Sequence, residues 1–577
     1  MASTDSCDSS DSVGDQSTSN SRHNVHLRLG NVSNYYATPP NYNAAIKKGH
    51  LKFDAEFECG NLLKVEYISE FEYDLYVRPD ISNSRFRVWF YFTVSNNKAG
   101  QRAIFNIVNF SKTKSLYRDG MAPVIKSTTR PKWVRLSAKN AFYYRSPDHD
   151  NNYVMSFAVV LDKENEEYSF AYCYPYSYSK LQRYLDAIEA RSLRYVRREC
   201  IALTLQHRRL DMITITSPGN LQHDVEKKLI FISARVHPGE SPSSYVCQGI
   251  IDFLISDSPA AKILRDNLVF KIVPMLNPDG VSVGNYRCSL AGDDLNRHWH
   301  NPTRQHPTLS ATKDILMEHD SDNTCNVEFY VDIHGHTSLV NAFIYGNIFD
   351  DSTRFEKQSI FPKLLSNNAD DFSMQSIFPK LLSNNADDFS MAKTCFNKDA
   401  VKAGTGRRFL GSYLNPNALC YTLEVSCYGY QNVANSITPY TEEGFMRLGR
   451  SFAKTFVDYY ELNGCVSELV AERAAAAAIR RKNAREREGN KGKKQTGDRD
   501  IKETRKTDSQ AVLWNSSKQN YEGIKSALEL RRSRNYKLQG NSIEKNPKSS
   551  ISKIDEFSPI SLKLRHRERF YSKDFKL

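Results

Sequence analysis

A histidine and a carboxylate three residues apart, His237 and Glu240, stand in the stretch "ARVHPGES", with Pro238 and Gly239 between them. That pair makes a helix improbable at this point, and the apolar run "KKLIFISARV" before it reads as a strand. A tight turn at the C-terminal end of a strand can aim both side chains at one ion, which is where ligands gather in open α/β sheets. Taken alone, the spacing fits incidental surface residues as well as a metal site. More chemistry follows down the chain. "VFKIVPMLNPDGVSVGNYRCSLAGDDLNRHW" ends a strand in an Asn-Pro-Asp-Gly turn, then delivers Arg287, Asp294, Asn296 and Arg297 in a loop. "FYVDIHGHTS" ends another strand on His334, with His336 two residues on. "ALCYTLEVS" sets Glu424 in an otherwise apolar strand, where a carboxylate needs a buried partner or a chemical task. "AVKAGTGRRFLG" offers the cations Lys402, Arg407 and Arg408 around two glycines. Those glycines match neither phosphate-loop pattern and let the loop bend.

These residues need a scaffold, and two patterns supply it. From about 46 to 190 come short aromatic and β-branched runs, "EFEYDLYV", "RFRVWFYFTV", "AIFNIVNF", "YVMSFAVVL" and "YSFAYCY", separated by turn residues. They predict an antiparallel β-sandwich. "KLQRYLDAIEARSLRYVRREC" then reads as a helix. From 191 to 465 strands and helices alternate, which predicts an α/β domain with a mixed, mostly parallel sheet flanked by helices. Residues 1–45 are low-complexity and read as a disordered tail, and so does 466–577 apart from a short helix at "LVAERAAAAAIRRKNARERE". "QSIFPKLLSNNADDFSM" occurs at 358–374 and again, letter for letter, at 375–391. Its apolar residues make one face of a short helix. One copy can dock, the extra copy is expected to loop out, and neither has a catalytic role.

The net charge of +13 suggests nucleic acid until it is located. Residues 471–577 hold 28 Lys and Arg against 14 Asp and Glu, so this tail carries more than the whole net charge and the first 470 residues are close to neutral. The basicity is a tail property, suited to an acidic partner, and nucleic acid is not expected. The 11 scattered cysteines, without a CxxC pair, argue for a reducing compartment rather than a disulfide framework. No apolar run approaches the ~18 residues of a membrane span, and the N-terminus lacks a signal-peptide core. A cytosolic protein is the expectation.

The motifs HPGE, NPDG, an arginine ahead of DLNRHW, DIH and TLEVS, in this order, resemble the M14 metallocarboxypeptidases. The upstream "IFNIVNFSKTKSLYRDGMAPV" and "AYCYPYSY", with "NKDAVKAGTGRRFLG", are similar to the cytosolic carboxypeptidase branch. The resemblance implies a carboxypeptidase-like sheet behind a β-sandwich, and one Zn2+ held by His237, Glu240 and His334, with His336 as the alternative third ligand. It implies Asp294 as the carboxylate orienting a ligand imidazole, and Asn296 and Arg297 as the clamp on the substrate's terminal carboxylate. Arg287 would stabilise the oxyanion, and Glu424 would act as general base, moving a proton from water to the leaving amine. The branch trims glutamates from polyglutamylated proteins, tubulin above all, and from proteins with acidic C-termini. Arg407 or Arg408 is expected to meet the glutamate side chain. The basic tail is expected to touch microtubules, at places such as the centriole or the ciliary basal body. A carboxypeptidase of other specificity and a non-catalytic reader of acidic tails are the rival readings.

Overall fold

The computed structural model describes residues 30–222, 225–349, 374–397, 399–432 and 434–462. Outside these lie most of the N-terminal tail, the first repeat copy apart from Met374, and the basic tail with its expected helix.

The aromatic runs of the first third build two sheets of six and five strands. Phe105, on the strand Gln101–Phe110, is fully buried between them. Its ring lies 5.4–5.9 Å from those of Phe53, Phe92, Phe157 and Phe170. Each such pair contributes roughly 0.5–1.5 kcal/mol beyond area burial. Emptying the Phe105 position to alanine therefore costs about 3–5 kcal/mol. All pairings in the two sheets are antiparallel except that of Glu72–Tyr76 with Gln101–Phe110, which is parallel. The strand expected over "RFRVWFYFTV" is confined to Tyr91–Ser95.

The long helix expected at 180–200 is two elements. Tyr178–Glu189 is helical, capped by the Ser177 side chain, and buries Leu181, Leu185 and Ile188. The chain then turns at Ser192, whose φ is 49°, and Val196–Leu203 is a strand. Its residues pair with Arg209–Ile215, and that tertiary pairing overrides the local helix propensity.

That strand begins an eight-stranded mixed sheet. Its order is Val196–Leu203, Arg209–Ile215, Val269–Val273, Lys227–Ala234, Cys325–His336, Leu419–Ser426, Ala342–Asn347, Cys395–Asn397. The central strands Lys227–Ala234, Cys325–His336 and Leu419–Ser426 run parallel. They are almost continuously buried, as strands covered on both faces must be. Pro242–Leu254 and Glu442–Leu462 form one helical pair, packed through Val246, Ile250 and Phe445. Among the described residues, no helix is long and apolar enough to cross a membrane.

The second repeat copy is the docked one, as expected of one copy, while the copy expected to loop out lies outside the described residues. Met374–Asn385 is a helix that buries Phe378 and Leu382, followed by buried Ala386. The Phe378 ring sits 4.7 Å from Phe456 and 5.3 Å from Phe329, joining the long C-terminal helix to the sheet. Asn385 donates to Asp458 at 2.7 Å, and Phe389 bridges to Ala342.

Candidate metal centre and substrate cleft

The C-terminal ends of the three central strands deliver the chemistry. Lys227–Ala234 runs into the turn holding His237 and Glu240, where the Glu240 N–H donates to the His237 carbonyl at 3.2 Å. Asn277 steadies this turn. It caps the short helix Pro278–Ser282 and donates to the Val236 carbonyl at 3.2 Å. The NPDG stretch is thus a helix start rather than a plain turn. On Cys325–His336, residues 332, 334 and 336 share a face. In the parallel register His334 stands directly beside Glu424.

His237 Nδ1 lies 2.8 Å from one oxygen of Glu240, and His334 Nδ1 lies 3.1 Å from the other. All three side chains are buried, and their ligand atoms lie within 4.8 Å of one another. The far nitrogens are also held. His237 Nε2 meets Asp294 at 3.0 Å, and His334 Nε2 meets Asp332 at 2.6 Å. Carboxylates on Nε2 leave Nδ1 of both rings as the metal-facing atom, the usual way a ligand histidine is oriented. Two nitrogens and one carboxylate, buried and convergent, fit a zinc ion with an open coordination position.

The charges are mutually enforced. Burial alone would raise Glu240, but His237 and His334 outweigh it and hold its carboxyl well below the usual range. Burial likewise opposes ionised Asp294, and Arg287 with His237 overcomes it. His334 is driven well above an ordinary imidazole, because Asp332 and Glu240 outweigh burial. His336 differs. Burial pushes it down to about 3, and its Nδ1 accepts backbone N–H groups of Ser338 and Leu339 at 3.3 and 3.0 Å. It is His334 that meets Glu240.

A second cluster, Asp293, His298 and His306, has the donor types for a metal. There His306 Nδ1 accepts the Thr303 N–H at 3.3 Å, so Nε2 carries the proton and donates it to Asp293 at 2.9 Å. This reads as a satisfied structural pair.

Glu424 is the one position of its strand that is not fully buried, and burial raises its pKa. Arg287 donates to Asp294 at 2.7 Å. Asn296 is buried beside the metal group, its amide nitrogen 3.2 Å from His334 Nε2, while its oxygen accepts the Gly406 N–H at 2.9 Å. Arg297 is exposed and donates to the Asn296 carbonyl at 2.9 Å. Gly406 has no room for a side chain, since a Cβ there would lie 2.7 Å from the Tyr330 hydroxyl and 2.8 Å from Trp299. The helix Gly406–Tyr413 starts at this bend, its first N–H on the Asn296 side chain. Arg407 is 1% exposed and donates to the Gly346 carbonyl and the Asn347 and Asn397 side-chain oxygens. These partners are all neutral, and burial lowers its pKa to about 10. Arg408 donates to the Asn397 carbonyl at 2.8 Å. The Lys402 ammonium sits 4.1 Å from the Tyr345 ring centre and lowers Glu424 electrostatically.

Asp332 escaped the sequence reading. Its signal was present: a carboxylate two residues before His334 on a strand shares its face and needs a buried partner.

This fold and donor set define a metallocarboxypeptidase. Residues 181–447 match the zinc carboxypeptidase family, and residues 53–172 match the cytosolic carboxypeptidase N-terminal domain. The chain belongs to the cytosolic carboxypeptidases. It is 57% identical over 442 residues to "Cytosolic carboxypeptidase 6" of mouse and of human, covering 76% of this chain and 79% and 84% of theirs. The nematode Caenorhabditis elegans protein of that name is 42% identical over 459 residues, covering 77% of this chain and 93% of its own. Among solved structures, a metallo-carboxypeptidase from Burkholderia cenocepacia shares the fold. Its TM-score is 0.57 at 21% identity, over 71% of this chain and 99% of that one. The family resemblance drawn from the motifs, which points to the sixth type of the branch, holds.

Proposed function

We propose that the protein is a zinc-dependent carboxypeptidase that removes glutamates, C-terminal or linked through side chains, from polyglutamylated proteins such as tubulin. The observation that carries this reading is Arg407: a buried guanidinium within electrostatic reach of Glu424, whose hydrogen-bond partners among the described residues are all neutral oxygens. A buried cation without a carboxylate is costly, and an incoming glutamate side chain would supply one. Lys402 and Arg408 add positive potential on the same loop.

His237 and His334, through Nδ1, and Glu240 would hold the zinc. The ion supplies a Lewis acid that polarises the scissile carbonyl and makes water easier to deprotonate. Asp294 and Asp332 keep the two rings in the ligating tautomer. Asn296 and Arg297 grip the terminal carboxylate, which restricts cleavage to a free end. Glu424, with its raised pKa, takes a proton from the attacking water and returns it to the leaving amine. Arg287 meets the oxygen that gains charge. The basic tail adds electrostatic attraction to acidic microtubule surfaces, including those of the centriole and basal body.

A synthetic peptide ending in oligoglutamate, incubated with the full chain and read by mass, tests this. Stepwise loss of glutamate, abolished by a chelator and restored by zinc, is expected. Preferred cleavage of apolar ends would leave only a general carboxypeptidase. No cleavage by zinc-loaded protein would leave a reader of acidic tails.

A further inference from the structure

The β-sandwich reaches into the cleft. Asp80 follows its strand Glu72–Tyr76 and is 3% exposed. One carboxylate oxygen accepts the backbone N–H of Tyr286 at 2.6 Å, and the other accepts those of Arg287 and Cys288 at 2.7 and 2.8 Å. Successive amides of an extended chain point to opposite sides, so three consecutive N–H groups reach one acceptor only where the backbone curls around it. A carboxylate, with two oxygens and about four lone-pair directions, can take all three.

The surrounding contacts fix the same segment. The Ile81 N–H donates to Asn285 at 3.1 Å, Asn83 donates to the Gly292 carbonyl at 2.9 Å, and Asn61 donates to the Gly284 carbonyl at 2.8 Å. Gly284 has φ +76°, and a Cβ there would lie 2.3 Å from the Gly60 carbonyl oxygen, so the two backbones touch. The segment held in this way is bonded to the metal turn. The Tyr286 carbonyl accepts the N–H of Gly239, between His237 and Glu240, at 2.7 Å. Arg287 projects from it with the Phe86 ring of the sandwich 5.9 Å from its guanidinium carbon.

We infer that Asp80 is a positioning residue for peptide cleavage: the sandwich's carboxylate curls the backbone from which Arg287 reaches the substrate carbonyl. The inference rests on the oxyanion role of Arg287 given above. Arg287 is paired with Asp294 at rest and has to serve a charge that exists only during the reaction. Fixing its backbone limits where that long side chain can go, and misplacement of about 1 Å is enough to cost rate.

The test is a double-mutant cycle on the zinc-loaded full chain, with turnover of the oligoglutamate peptide expressed per bound zinc. Asp80→Asn keeps the shape but offers one acceptor oxygen where two are used. It should lower kcat by about tenfold or more, with KM changed less than about threefold. Binding of a tetrahedral phosphinate analogue should weaken in parallel with kcat/KM. In an Arg287→Ala background the same change should cost less than about twofold. Equal losses in both backgrounds, or a normal kcat for Asp80→Asn, would overturn the inference. Should Asp80→Asn not fold, Phe86→Leu takes its place in the cycle. It should show a smaller fall in kcat that disappears with Arg287→Ala, and an undiminished effect overturns the inference too. Full turnover by Arg287→Ala itself would remove the oxyanion reading and this inference together. A crippled Arg287→Ala beside a normal Asp80→Asn would remove only this one.

Discussion

Two arginine-bearing segments, joined where the Gly406 N–H meets the Asn296 side chain, differ in what answers their charge. Arg287 in the 285–297 loop is matched: Asp294 takes its guanidinium, and its pKa is raised because Asp294 and Glu240 outweigh burial. Arg407, in the helix Gly406–Tyr413, is met by a carbonyl and two amide oxygens, and burial lowers its pKa. A matched cation belongs to machinery that is complete before substrate arrives. A buried cation without a carboxylate partner gains most from an incoming anion, so on the proposed reading it is where ligand choice would be made.

The comparison makes Glu424→Gln the most damaging change. The variant keeps shape and both loops while removing the proton acceptor, so turnover should fall at least ~10²-fold with metal retained. Single-turnover kinetics with zinc analysis check this; near-normal turnover would hand the base role to another carboxylate. On the matched loop, Asp294→Asn removes the charge that holds both His237 and Arg287. Zinc affinity should drop about 10–100-fold, read by competition with a chelator. Unchanged affinity would mean Asp294 serves Arg287 alone. On the unmatched loop, Arg407→Met keeps the volume and drops the charge. The preference for Glu over Leu at the peptide end should shrink by about tenfold or more, while cleavage of the Leu peptide holds. Loss of both cleavages would place Arg407 with the structural groups. The smallest effect belongs far from both loops. Deleting residues 375–391 yields the same sequence as deleting 358–374, so one docking copy remains. Zinc content and kcat/KM should stay within about twofold, since loop-closure cost varies only logarithmically with length. Inactivation would mean both copies are packed.

How much of this could be read from the chain depended on sequence distance. His237 and Glu240 lie in one turn, and His334 and Glu424 end strands whose apolar runs announce them, so type and spacing suffice. Asp332 was readable by strand alternation and was passed over. Asp80 was not readable: it contacts residues 206–208 positions away, and in sequence "RPDIS" looks like any Pro-Asp turn. The charge state of Arg407 was equally hidden. "GTGRR" shows two arginines side by side, and only packing decides that one is enclosed among neutral oxygens while the other remains partly open. The strand Val196–Leu203 was hidden for a related reason, because its partner strand decides its conformation and lies beyond a helix-like local pattern.

The docked helix Met374–Asn385 has one more consequence, of a genetic kind. Its anchors Phe378, Leu382, Ala386 and Phe389 have identical counterparts 17 positions earlier, at Phe361, Leu365, Ala369 and Phe372. The chain carries a spare of its own part. A lesion such as Phe378→Asp leaves an intact copy upstream that can be recruited to the same groove, whereas the paired change Phe361→Asp with Phe378→Asp leaves none. Substitutions in this helix are therefore buffered one at a time and exposed only in pairs, and the segment is free to drift in one copy while the other keeps the groove filled.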